Sequence, residues 1–155
     1  MAFPNNNPRG GYNQGGNRPA WQNTASQVPE IMPLAVPDQY VDEAEKVMRN
    51  HLQGNKKITT TKLRSFLALI DDIYNVENLR TEPTLLPESQ LKIMRLRVRV
   101  VYDAGRDKEV ETFVTQAKLL SYLKGIGTSR DALIKLAHYM EALVAYHRYL
   151  GGKEN

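Results

Sequence analysis

Residues Leu91–Asp107 read LKIMRLRVRVVYDAGRD, with Lys92, Arg95, Arg97 and Arg99 set among aliphatic side chains and no acid before Asp103. Taken as a strand, Arg95, Arg97 and Arg99 would share one face and Leu96, Val98 and Val100 the other. Taken as a helix, Leu91, Met94, Val98, Val101 and Tyr102 form one apolar stripe, widened by Ile93 and Val100. Lys92, Arg95, Arg99 and Arg106 then gather in an arc of roughly 60° opposite that stripe. The periodic run continues for about fifteen residues from Pro87, long for a strand, and no second strand candidate exists to pair with it. Gly105 suits a helix C-terminus. The stretch is therefore predicted to be helical. Arg97 fits poorly, because it falls within the apolar arc. Either it pairs with a carboxylate such as Glu141 or snorkels to solvent, or the arc is partly an interface. A matched arginine is the reading preferred from sequence.

The remainder of the chain follows the same period. PDQYVDEAEKVMRNHL places Tyr40, Val41, Ala44, Val47, Met48 and Leu52 on one face, and Gly54 ends the helix. TTTKLRSFLALIDDIYNVENL predicts a second helix with a threonine N-cap and a stripe of Leu63, Phe66, Leu67, Ile70, Ile73 and Tyr74. DKEVETFVTQAKLLSYLKGIG predicts one helix capped by Asp107 and closed by Gly125. TSRDALIKLAHYMEALVAYHRYLGG predicts the last, with a capping box from Thr128 to Asp131 and Gly151 at C′. This last helix is apolar over most of its circumference, which suits the centre of a bundle. The fold class expected is all-α, a compact five-helix bundle over residues 38–155 behind a disordered tail over residues 1–37. That tail holds six of the eight prolines and six asparagines, a composition too polar to offset the entropy of ordering. Its PRGGYNQGGNRPAW segment resembles mixtures that touch RNA through charge and stacking. With two arginines in 37 residues, a solvated tail is the simpler reading.

Composition narrows the function. There is no cysteine among the 155 residues, which excludes disulfides, zinc–thiolate sites and a cysteine nucleophile and fits a cytoplasmic protein. No apolar run approaches a membrane span, and no secretory signal is expected. The net charge of +4 is concentrated: residues 56–64 and 91–99 each carry four cations and no anion. Lys57, Lys62 and Arg64 sit where a loop runs into a helix N-terminus, a setting that favours phosphate. Lys92, Arg95 and Arg99 form a second row, which Lys118, Lys124 and Arg130 could extend. Such contacts bind a nucleic-acid backbone without reading its sequence. No phosphate-binding loop, nucleophile elbow or metal-ligand spacing is present. His138 and Glu141 occur once, in the reverse of the Glu-x-x-His order used by di-iron bundles. Neither a catalytic residue nor a metal site nor a cofactor is expected.

Three segments carry a resemblance: KKITTTKLRSFLALIDDIYN (56–75), VRVVYDAGRDKEVETFV (98–114) and YMEALVAYHRYLGGKE (139–154). In this order they resemble the small subunit of the type III-A CRISPR effector, the Csm complex. The resemblance implies a five-helix protein without enzymatic activity, repeated as a filament beside the backbone subunits and near the large Palm-domain subunit. Together these copies would cradle the duplex of CRISPR RNA and target RNA. Carried over by motif, Lys57, Lys62 and Arg64 match the basic helix start, and Arg99 and Arg106 match the VR…YDAGRD element. The alternative is a purely structural adaptor whose basic stripes meet acidic partner proteins.

Overall fold

The computed structural model describes Pro4 and residues 28–155; the rest of the expected tail lies outside the described residues. Six helices follow one another: α1 Tyr40–Gln53, α2 Thr60–Glu77, α3 Pro87–Arg106, α4 Lys108–Gln116, α5 Leu119–Ile126 and α6 Arg130–Tyr149. No strand is named among the described residues, and the only β-type pairing is an isolated bridge between Thr84 and Ser129. The segment opening at Pro87 is helical throughout, as its length requires. Among the described residues, no helix is long and apolar enough to cross a membrane.

Helix α6 is the axis of the bundle. It packs against α1, α2 and α5, and it buries Leu133, Leu136, Ala137, Tyr139, Met140, Leu143 and His147 completely. Its start is capped by Ser129, whose hydroxyl accepts from the Ala132 amide at 3.2 Å. The box expected to begin at Thr128 is thus displaced by one residue, because the Thr128 carbonyl is already taken by the Leu85 amide at 2.9 Å. At the other end Gly151 has φ 82°, the left-handed C′ geometry expected of it.

The bundle has six helices where five were expected, because the segment after Asp107 breaks at Lys118. That residue has φ 56° and is the one non-glycine with positive φ among the described residues. The Ala117 carbonyl, buried at the break, accepts a 3.0 Å hydrogen bond from the Tyr139 hydroxyl on α6. A long-range partner therefore satisfies the group that a continuous helix would have paired locally. Gly125 does not close this helix either. It lies inside α5, where a β-carbon would stand 1.8 Å from the Leu34 carbonyl oxygen. Residues 31–37, assigned to the tail from sequence, cross α5 here. The Leu34 amide donates to the Ser121 carbonyl at 3.0 Å, and Val36 is buried.

The rotation of α3 differs from expectation. Ser89, Ile93, Leu96, Val100 and Ala104 face the core. Leu91, Met94, Val98, Val101 and Tyr102, the stripe expected to be buried, are 43% to 70% exposed. The two sets lie roughly 150° apart at 3.6 residues per turn. Both faces are apolar, so periodicity alone could not choose between them. Arg97 is only partly exposed and has no side-chain partner among the described residues; Glu141, its expected mate, is exposed on α6.

Two buried histidines bracket the loop before α2. The Ile58 amide donates to His51 Nε2 at 2.8 Å, and His147 Nε2 lies 2.8 Å from the Ile58 carbonyl, to which it donates. His51 Nδ1 in turn donates to Gln116 Oε1 at 2.7 Å. Accepting from Ile58 requires His51 to be neutral, and burial lowers its pKa below the ordinary 6.5. The unfolded chain then binds more protons than the folded one below that value, so stability falls as pH drops through about 6.5. Thermal melts from pH 8 to pH 5 should show this decline, and His51→Gln should flatten it. Separately, Lys118→Gly should raise stability by about 0.5–1 kcal/mol in denaturant titrations, by relieving the left-handed backbone.

Candidate nucleic-acid interface

The two basic stretches meet different fates. At the start of α2, Thr59 caps the helix by accepting from the Lys62 amide at 3.3 Å. The Thr60 and Thr61 amides donate to the carbonyls of Lys153 and Glu154 at 2.8 and 3.1 Å. The donors expected to cradle a phosphate are thus occupied by the chain's own C-terminal residues. Lys62 is equally committed: its ammonium lies 2.6 Å from Asp107 Oδ2 and 3.1 Å from Glu109 Oε2. The hydrogen bond to Asp107 raises the pKa of Lys62, and the same bond holds the Asp107 carboxyl below its usual range. Asp107 also caps α4, accepting from the Glu109 amide at 2.9 Å. Lys62 is therefore a clamp between the start of α2 and the α3–α4 corner. Lys57 and Arg64 are exposed and without a side-chain partner among the described residues. Arg64 leaves α2 roughly 140° from Leu69, which faces α3.

Three further expected contacts have structural tasks. Arg130 Nε donates to the Glu77 carbonyl at 2.6 Å, Lys124 Nζ donates to the Ile31 carbonyl at 2.7 Å, and Lys118 stands 4.0 Å from Glu43. Sequence reasoning missed Glu77, the buried carboxylate around which this region is organised. Burial pushes its pKa up, but hydrogen bonds from Ser89, the Leu86 amide and Arg80 outweigh that and leave it lowered. Only its place after an apolar stripe, next to Arg80 in space, could have hinted at the role.

What remains is the row on α3. Helices α2 and α3 run antiparallel, with Lys92 3.1 Å from Asp72 and 3.9 Å from Glu88. A groove of about 280 Å³ between them has a floor of Leu69, Ile73 and Leu96 and is edged by Asp72, Lys92, Arg95 and Arg99. Arg99 Nε donates to Asp103 at 2.8 Å, from an exposed guanidinium to a carboxylate one turn on that is mostly buried. Arg106 stands over the Tyr102 ring, 5.5 Å from its centroid. Arg95 has no side-chain partner among the described residues. The exposed pairs of Lys92 contribute about 0.2–1 kcal/mol each, so a phosphate can displace those carboxylates at little cost. The row spans about 21 Å of helix. Its chemistry is electrostatic, with no arrangement for reading a base edge.

His138, the other residue considered for chemistry, is flanked by the rings of Tyr40 and Tyr74, with the Tyr74 hydroxyl 3.5 Å from its Nε2. Glu141 is exposed and makes no bond with it among the described residues.

The described residues thus form an all-α bundle with a groove between α2 and α3 edged by Lys92, Arg95 and Arg99. A family model described as Csm2 Type III-A matches residues 35–153. The chain belongs to that family, which bears out the resemblance read from the sequence. Relatives named CRISPR system Cms protein Csm2 agree. The protein of Mycobacterium tuberculosis (strain CDC 1551 / Oshkosh) is 42% identical over 120 residues, covering 77% of this chain and 97% of that one. The protein of Streptococcus thermophilus is 34% identical over 126 residues, covering 79% and 100% respectively. That of Enterococcus italicus is 29% identical over 129 residues, covering 77% and 90%.

Because Lys62 is clamped between two carboxylates, Lys62→Met should lower stability by about 1 kcal/mol. Denaturant titration measures the effect, and unchanged stability would mean that the clamp contributes nothing to the fold.

Proposed function

We propose that this chain is a non-catalytic, RNA-backbone-binding small subunit of a type III-A CRISPR complex in the cytoplasm, supporting the duplex of CRISPR RNA and target RNA. The observation that carries this reading is the row Lys92, Arg95, Arg99 and Arg106 along α3, in which Arg95 has no carboxylate partner among the described residues and the partners of Lys92 are exposed. Cations along one edge of a rigid helix follow a polyanion without regard to its bases, which suits a subunit that leaves sequence recognition to base pairing. Lys57, Arg64 and Lys118 are secondary contacts on the same reading; Lys62, Lys124 and Arg130 are taken up by bonds within the fold. The backbone subunit, the large Palm-domain subunit and further copies of this chain arranged as a filament are its proposed protein partners.

Titration of fluorescent single-stranded and duplex RNA at low salt tests the reading. Three to four phosphate contacts predict log affinity falling by about 2 to 3 per log unit of salt for single strands. The triple variant Arg95→Ala, Arg99→Ala, Arg106→Ala should weaken binding at least about tenfold for all sequences alike and flatten that slope, with the helical signal unchanged. Unaltered binding by the triple variant, or a loss restricted to one sequence, would contradict it.

A further inference from the structure

The proposed RNA contact leaves the most exposed part of α3 unexplained. Leu91, Met94, Val98, Val101 and Tyr102 recur at i, i+3, i+7, i+10 and i+11, so they form one continuous stripe about 16 Å long. Helix α3 already has a core face, in Ile93, Leu96 and Val100. No other element of the bundle therefore needs the stripe, and it stands in solvent at 43% to 70% exposure. An isolated exposed leucine means nothing, but a contiguous apolar band rimmed by polar groups marks a docking face. The rim is one-signed. Arg95, Arg99 and Arg106 follow one edge, and the unpaired Arg97 stands on the other. The acids of this helix are Glu88, at its first turn, and Asp103, whose side chain is largely buried and is paired to Arg99.

These charges discriminate among occupants. RNA gains nothing from aliphatic side chains, since phosphates seek cations and bases stack on aromatic rings. A second copy placed face to face across a two-fold axis would set Arg95, Arg97 and Arg99 of each chain against their counterparts. Nothing in the middle of the stripe would neutralise them, and like charges brought together at an interface are costly. With the Arg95, Arg99 and Arg106 row given to RNA, an apolar surface that sets a carboxylate opposite Arg97 satisfies both the stripe and its remaining charge.

We propose that the outer face of α3 docks a different protein subunit of the type III-A complex, through an apolar surface that carries aspartate or glutamate opposite Arg97. The proposal rests on the reading of this chain as a subunit of that complex and leaves the cationic row to RNA. It divides the circumference of α3 among three tasks: the core, the cationic row and the companion subunit. Docking then fixes the position of the row, because both belong to one rigid helix.

The test is co-expression of the tagged full chain with the remaining subunits of its own complex, measuring the companion subunits recovered per tagged chain. The double variant Met94→Gln, Val98→Gln removes the apolar character and adds no charge. It should cut recovery at least about tenfold while its thermal melt and its RNA affinity in isolation stay unchanged. Arg97→Glu should cost more recovery than Arg97→Ala, as a partner carboxylate opposite this position requires. Failure of the RNA reading is seen separately, in the Arg95→Ala, Arg99→Ala, Arg106→Ala variant of the isolated chain. Wild-type recovery of the double variant would overturn the docking proposal. So would sedimentation showing that the stripe variant dissolves a dimer of the isolated chain, since the occupant would then be a second copy. Loss of RNA binding by the uncharged double variant would assign the stripe to nucleic acid instead.

Discussion

The rotation of α3 about its own axis is fixed by polar anchors at its two ends, and the functional surface follows from that rotation. At the N-terminal end the buried Glu77 carboxylate accepts from the Leu86 amide, at the start of α3, at 2.9 Å. At the C-terminal end Asp107 caps α4 and pairs with Lys62. Turning α3 by roughly 150° would exchange one apolar face for the other at modest hydrophobic cost. It would also turn the Leu86 amide away from Glu77 and leave a buried carboxylate short of a partner, a penalty of several kcal/mol. Direction-blind hydrophobic burial leaves the choice nearly open; directional bonds to buried charge close it. The helix that results has Ile93, Leu96 and Val100 inside, Met94 and Val98 outside, and its cations between.

Charge is used in two ways in this small bundle. Lys62, Arg80, Lys124 and Arg130 each bond a carboxylate or a carbonyl of a neighbouring element and hold the fold together. Among the cations of α3, Lys92 pairs with the exposed Asp72 and Glu88, Arg99 reaches from solvent to Asp103, and Arg95 has no side-chain partner among the described residues. The distinction is one of desolvation. An arginine bonded to a buried carboxylate loses much on changing partner, whereas an exposed lysine one turn from a glutamate loses little. A basic composition is therefore a poor guide to an anion-binding surface until the internal partners are known.

The helical class, the central position of α6, the Thr59 and Asp107 caps and the turn at Gly151 were legible in the sequence, because each is written in local periodicity or in a capping residue. Three features were not legible, and each depends on contacts distant in sequence. The break at Lys118 carries no glycine, proline or asparagine; it is held by Tyr139, 22 residues on. The phosphate cradle expected at the start of α2 is filled by the carbonyls of Lys153 and Glu154. The stripe on α3 was assigned to the core because it is the longer apolar set, while Ser89 and Ala104, the small residues that allow close packing, gave no hydrophobic signal. Arg97, the residue that fitted that assignment poorly, marked where the reading went wrong.

Hydroxyl-radical footprinting of Met94 and Tyr102, in the free chain and in the assembled complex, addresses the orientation of α3 most directly. Both residues should be oxidised rapidly in the free chain and protected on assembly. Protection of both in the free monomer would mean that the helix turns its other face outward, and the division of α3 among core, RNA and companion subunit would be wrong.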